Sequence, residues 1–277
     1  MNLQIVKEEL DRQGFVKIEK FYDPIEEIQP IQRGIWKILG ILLRKYDIPH
    51  EQQAFDPLSF DDGYQDLIKA DRRYGGEVYD AIKQIPEFMQ LVSSDRNRSL
   101  FSKLRETDLP GLAAAGYGIR IDNPHEEAYR SHWHYEYRDQ LRSVDGLVYW
   151  TPLIPITPEI GPVNICPGSH RDGLRRSYRD DSGQSGAYAL RIENEEEVIT
   201  KFGVEAPLSK PGDLLLIDFL TLHASGVNDS SRSRWSMQFR YFNFNHESGI
   251  KLNWSPGAAQ GVKIEDVHPE LFIPNPK

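Results

Sequence analysis

Eight consecutive positions near the C-terminal end constrain the fold most strongly. Arg234, Ser236, Gln238 and Arg240 alternate without a break with Trp235, Met237, Phe239 and Tyr241. Side chains on a β-strand project to opposite faces with a period of two, so this segment presents one polar and one apolar surface. The expectation is a strand whose apolar face packs against helices and whose polar face lines the interior of a barrel.

Helices to supply that packing are legible upstream. Between about Asn2 and Arg105 the apolar spacing is helical: Ile28, Ile31, Ile35, Ile38, Leu39 and Leu42 form one stripe, and Val78, Ile82, Ile85, Phe88 and Leu91 form another. From Tyr117 the pattern changes to short β-rich runs punctuated by Pro and Gly, as a jelly-roll double sheet requires. The fold class expected is mainly β with flanking helices: a double-stranded β-helix (jelly-roll, cupin-like) core with an N-terminal helical region. One domain is expected over residues 1–277, divided into helical support (1–105), catalytic core (106–245) and a C-terminal extension (246–277) that is irregular and pinned by Trp254 and Phe272.

Composition narrows the class of protein. With 277 residues, 39% of them hydrophobic, the chain can bury a sizeable core. A net charge of −9 argues against a general binder of nucleic acid or of acidic membranes, which presents a basic face to phosphates. Cys166 is the only cysteine, so no intrachain disulfide is possible, and the segment Met1 to Lys7 lacks the apolar core of a signal peptide. A cytoplasmic location is therefore expected. The apolar run from Ile35 to Leu43 is broken by Lys37 and Gly40 and falls well short of the roughly 20 residues of a membrane-spanning helix.

Three residues carry the chemistry. His134 and Glu136, two apart on a predicted strand, project from the same face, and His223 follows the apolar run Asp213 to Asp218, entered through the Pro211-Gly212 turn. Folding can bring His223 over the first pair, near the end of a second predicted strand. Two imidazoles and a carboxylate on one side of a metal leave the opposite positions open, the facial arrangement of non-haem Fe(II) oxygenases.

The wider set of motifs runs in order through Gln13-Gly-Phe-Val16, Ser131 to Tyr137, Leu147 to Leu153, Gly161 to His170, Pro211 to Asp213, His223 to Ser225 and Asn228. In that order and spacing the chain resembles the phytanoyl-CoA dioxygenase family of Fe(II)- and 2-oxoglutarate-dependent oxygenases, mainly over residues 115–244. One position departs from the family, which usually has Asp where this chain has Glu136. The resemblance implies that His134, Glu136 and His223 hold Fe(II). It also implies that Arg234, eleven residues after His223, grips the distal carboxylate of the cosubstrate 2-oxoglutarate with help from Ser225. A guanidinium presents a fixed fork of donors that suits a carboxylate. The activity implied is hydroxylation of a soluble small molecule by O2, with release of succinate and CO2. Related enzymes that halogenate lack the carboxylate ligand, so Glu136 argues against halogenation.

Other assignments remain open at this level. His132 shares the predicted strand face with His134 and Glu136, and the His-x-His pair followed by Asp139 is similar to the metal-binding cupins. His132, His134, Asp139 and His223 would then hold a metal in a binding protein or isomerase without 2-oxoglutarate chemistry. Arg232 has the wrong parity to share the inner face, and His170 is expected to shape the pocket from a loop. Arg120, Gln238 and Arg240 are possible polar pocket contacts, and Trp150 is core or pocket wall. The stretch Arg171 to Phe202, rich in Arg and Glu, is a candidate lid or a solvated loop whose charges pair internally.

Overall fold

A computed structural model of the chain describes residues 1–180, 186–256 and 264–273. Helix α1 (Leu3–Gln13) is capped by the Asn2 side chain, which accepts from the Gln4 N–H, and ends at Gly14. Gly14 has φ 76°, and a Cβ there would lie 2.3 Å from Thr221 Oγ1 and 2.5 Å from His170 Nδ1. A side chain is thus excluded by both backbone and space. The turn feeds directly into β1 (Phe15–Ile18), so the N-terminal support region also contributes a strand to the sheet.

Helices α2 (Gln29–Lys45), α3 (Tyr64–Ala70), α4 (Arg72–Ile82), α5 (Pro86–Val92) and α6 (Asp95–Leu104) follow. The first stripe becomes the buried face of α2, with Ile38 at its margin. The second is divided between α4 and α5, because Pro86 lacks the N–H needed to continue a helix and instead opens the next one.

The remaining elements are β2 (Pro110–Leu112), β3 (Gly118–Asp122), α7 (Glu136–Gln140), β4 (Gly146–Pro152), β5 (Val163–Ile165), β6 (Ser177–Arg179), β7 (Leu190–Ile192), α8 (Glu195–Phe202), β8 (Leu214–Asp218), β9 (His223–Ser225), β10 (Arg234–Asn243), α9 (Glu247–Lys251) and α10 (Ile264–Val267). The large sheet runs β1-β8-β4-β10-β2, with β3 also paired to β10. Facing it is a smaller antiparallel pair, β5-β9, extended by bridges from His134 to His223 and from Ile165 to Glu205. This is the jelly-roll core with helices packed outside it.

As expected, β10 separates the two environments. Its apolar face meets the helices: the Trp235 ring lies 5.0 Å from Tyr64 and 5.6 Å from Phe60, and the Tyr241 hydroxyl donates to the Val92 carbonyl at 2.9 Å. The extension beyond His246 is less irregular than expected, since it contains α9 and α10. Trp254 does pin it, stacking edgewise on Phe244 at 5.4 Å and donating to the Phe244 carbonyl. Phe272 pairs with Leu174. No described helix is long and apolar enough to cross a membrane.

Candidate metal centre and cosubstrate pocket

The small sheet brings the two histidines together. His134 N–H donates to the His223 carbonyl at 3.0 Å, and His223 N–H returns the bond at 3.1 Å. Their rings consequently sit side by side, with centroids 4.3 Å apart. His223 does not end the strand that precedes it. The Asp218 carboxylate and carbonyl accept from Leu220 N and Thr221 N, folding residues 218–221 into a turn that transfers the chain to the second sheet. His223 then opens β9.

Glu136 also departs from the expected strand. Tyr135 is extended (φ −104°, ψ 129°), but Glu136 is the first residue of α7. The turn still delivers the carboxylate: Glu136 Oε2 lies 3.8 Å from His134 Nε2 and 3.6 Å from His223 Nε2. Among the described residues these three form the only group of metal-ligand type, with one donor atom from each lying within 4.8 Å of the others.

Their protonation suits a cation. His134 Nδ1 lies 2.7 Å from the His132 carbonyl and His223 Nδ1 lies 2.9 Å from the Thr221 carbonyl. A carbonyl only accepts, so each Nδ1 carries a hydrogen, and each Nε2 is the ring nitrogen that faces Glu136. Backbone acceptors of this kind fix ring orientation in metal sites. Burial, reinforced by the neighbouring His223, lowers the His134 pKa to about 3. Burial alone would raise the Glu136 carboxyl, but the Arg240 guanidinium and both imidazoles outweigh it and hold the group well below the usual carboxylate range. Two imidazole nitrogens and one carboxylate oxygen, with Glu136 and His223 buried and His134 at the margin, fit a divalent iron.

Arg240 Nε donates to Glu136 Oε1 at 2.8 Å. It was legible in the sequence only as a possible polar contact. Its role depends on a partner 104 residues away in the chain.

Arg234 is on the inner face, as its parity predicts, and is 1% exposed. Its Nη2 donates to the Ser225 hydroxyl at 2.9 Å and pairs with Asp122 Oδ2 at 2.9 Å; Nε reaches the same carboxylate at 3.3 Å, and Nη1 donates to the Gly161 carbonyl. No sequence motif singles out Asp122. Its signal was parity, because it lies two residues beyond Arg120, on the same strand face. Arg120 pairs with the other Asp122 oxygen at 2.7 Å and donates to Ser131 Oγ at 2.7 Å. Burial opposes ionisation of Asp122, but the two arginines overcome it and keep the carboxyl well below its usual range. Arg120 also lines a cavity of about 510 Å³ at the edge of β3, with Arg72, Tyr79, Tyr129 and Tyr188 among its walls.

The other candidates fall elsewhere. His132 lends its carbonyl to His134, but its own ring is not part of the converging group, and its buried Nε2 finds no partner among the described residues. Asp139 is also outside that group; burial pushes its carboxyl up to about 6. The four-ligand arrangement through His132 and Asp139 is therefore not the one formed. His170 does not shape the pocket, since its Nε2 contacts the Asp11 carbonyl and its ring packs beside Gly14, bracing the end of α1. Arg232 pairs with Asp61 on the helical side at 2.6 Å. Trp150 is 5% exposed and shares the inner face opposite Gln238. In the candidate lid, Arg175 and Lys201 both pair with Asp172, and Arg191 pairs with Asp180. Residues 181–185 of that stretch lie outside the described residues.

Comparison with known proteins agrees with this geometry. An alignment that covers 29% of the chain and about a quarter (26%) of the relative is 37% identical to the ectoine dioxygenase of Halomonas elongata. EctD from S. alaskensis with 2-oxoglutarate and 5-hydroxyectoine superposes with a TM-score of 0.55 at 18% identity, covering 86% of this chain and 74% of that one. The epimerase SnoN in complex with Fe3+, alpha ketoglutarate and nogalamycin RO superposes with a TM-score of 0.54 at 15% identity, covering 94% and 92%. At those identities the superpositions show a shared fold. The sequence model of the phytanoyl-CoA dioxygenase (PhyH) family matches residues 10–236, and the chain belongs to that family.

Proposed function

We propose that the protein is an Fe(II)- and 2-oxoglutarate-dependent dioxygenase that hydroxylates a soluble small molecule. The observation that carries this reading is the convergence of His134 Nε2, His223 Nε2 and Glu136 Oε2, with both Nδ1 atoms already engaged on backbone carbonyls. These three residues would hold Fe(II). Bound there with 2-oxoglutarate and O2, iron supplies an oxidative decarboxylation, to succinate and CO2, that is coupled to conversion of a substrate C–H into C–OH.

The chain's own groups bind and orient. Arg234 and Ser225 receive the distal carboxylate of 2-oxoglutarate. Arg120, Asp122 and Arg234 together carry one net positive charge, which a single carboxylate balances. Asp122 and the Gly161 carbonyl hold the Arg234 fork in place beforehand, so little side-chain freedom is lost on binding. The tyrosine-lined cavity beside Arg120, walled largely by α3 and α4, is the recess we assign to the substrate. Glu136 fills the position of the carboxylate ligand, which favours hydroxylation over halogenation. The lone, buried Cys166 suits a reducing compartment, and we assign the enzyme to the cytoplasm.

The test is succinate release from 2-oxoglutarate in air with added Fe(II), first without substrate and then across a panel of small molecules. Release by the wild type that is lost in His134→Ala and His223→Ala is expected. Iron bound without any succinate above background would contradict the oxygenase reading and favour a metal-binding protein or isomerase on the same fold.

A further inference from the structure

We propose that Arg240 is a positioning residue that makes Glu136 a single-oxygen metal ligand, an inference that rests on the metal centre proposed above. A glutamate side chain has one more rotatable bond than aspartate, so an unrestrained carboxylate can swing away from the imidazoles or present both oxygens to a cation. In this chain the two oxygens have separate partners. Oε1 accepts from Arg240 Nε at 2.8 Å, whereas Oε2 lies 3.8 and 3.6 Å from the two Nε2 atoms. The arginine consumes one oxygen and leaves the other for the metal.

Arg240 can enforce this because it is itself fixed. It is 8% exposed and rises from β10, which is hydrogen-bonded to strands on both sides. Nη1 donates to the Gly116 carbonyl at 3.1 Å and Nη2 to Gln238 Oε1 at 3.2 Å. Two acceptors therefore set the guanidinium plane before Glu136 is considered. A longer ligand and a clamp on its far oxygen thus work as one unit.

The inference is tested with Co(II), titrated into the wild type, Arg240→Gln, Arg240→Lys, Glu136→Gln, the double variant Glu136→Gln/Arg240→Gln and His223→Ala. Affinity is read by calorimetry and ligand field by the visible d–d bands. Arg240→Gln is expected to weaken Co(II) binding by about 10- to 100-fold, the range seen when an outer partner of a metal ligand is removed. Its d–d bands should weaken as Oε1 becomes free to coordinate and coordination number rises. Arg240→Lys, which restores the charge but not the fork, should fall between. The double variant should bind no more weakly than Glu136→Gln alone, because Arg240 acts only through that carboxylate.

Wild-type affinity and bands in folded Arg240→Gln, or independent losses in the double variant, would overturn the inference. If circular dichroism shows that Arg240→Gln does not fold, Arg240→Lys alone and combined with Glu136→Gln gives the same comparison, and a wild-type spectrum and affinity in Arg240→Lys would be equally contrary. Failure of the metal centre itself looks different: His223→Ala would then bind Co(II) as tightly as the wild type.

Discussion

The two faces of β10 use opposite means to become buried. On the outer face Trp235, Met237 and Phe239 are fully buried among apolar and aromatic neighbours, with a single polar tie, the Trp235 indole N–H donating to Asp61 at 2.9 Å. On the inner face Arg234 and Arg240 are almost as deeply buried, but each needs a carboxylate brought from elsewhere, Asp122 for one and Glu136 for the other. The comparison shows where stability and chemistry divide within one strand. Apolar burial tolerates many partners, whereas a buried guanidinium requires particular acceptors at set distances. The inner face therefore specifies a site, and the outer face holds it in position.

Variants should separate these two roles. The largest effect belongs to the inner compartment: His223→Ala should reduce succinate release at least about 100-fold, because removing a direct ligand is more severe than disturbing its outer partner. Its urea unfolding in the absence of metal should stay close to wild type. On the outer face Phe239→Ala should cost about 3–5 kcal/mol in the same unfolding experiment, while the folded fraction keeps its full metal stoichiometry. If Phe239→Ala spared stability or His223→Ala unfolded the chain, the division between the faces would fail.

Asp122 tests whether the inner face is purely functional. Its folded-state carboxyl is depressed, so its pairing stabilises the fold above the unfolded value of about 4 and that contribution is lost as pH falls toward the lower folded value. Asp122→Asn should therefore unfold more easily than wild type at pH 7, with the gap closing progressively below about pH 4. A gap that is constant with pH would mean that the carboxylate's charge contributes nothing. The smallest effect is expected for Arg234→Lys, which keeps charge but loses the fork. It should raise the dissociation constant for 2-oxoglutarate about tenfold, and an unchanged constant would remove Arg234 from the cosubstrate pocket.

What was legible in the sequence follows the same division. The alternation from Arg234 to Tyr241 and the helical stripes are short-range patterns, and each became a buried face. Spacing singles out His134, Glu136 and His223, which the fold brings together, although their backbone differs from the strands expected. Glu136 starts a helix and His223 starts a new strand, because local turns anchored at Tyr135 and Asp218 set the chain direction there. The Asp122–Arg234 and Glu136–Arg240 pairs were not legible. Each joins residues more than 100 positions apart, and register, rather than local propensity, decides which carboxylate faces which guanidinium. His170 was misplaced for a similar reason, since its partner is the distant end of α1.

The central claim is that two imidazoles and a carboxylate form an iron site that works with 2-oxoglutarate. An anaerobic titration of the protein with Fe(II) and then 2-oxoglutarate, followed by visible absorption, addresses it most directly. Joint binding gives a weak charge-transfer band in enzymes of this kind. The band is predicted to appear in the wild type at one iron per chain, to require more 2-oxoglutarate in Arg234→Lys, and to vanish in His223→Ala. A wild-type protein that binds iron but shows no band at saturating 2-oxoglutarate would contradict the account.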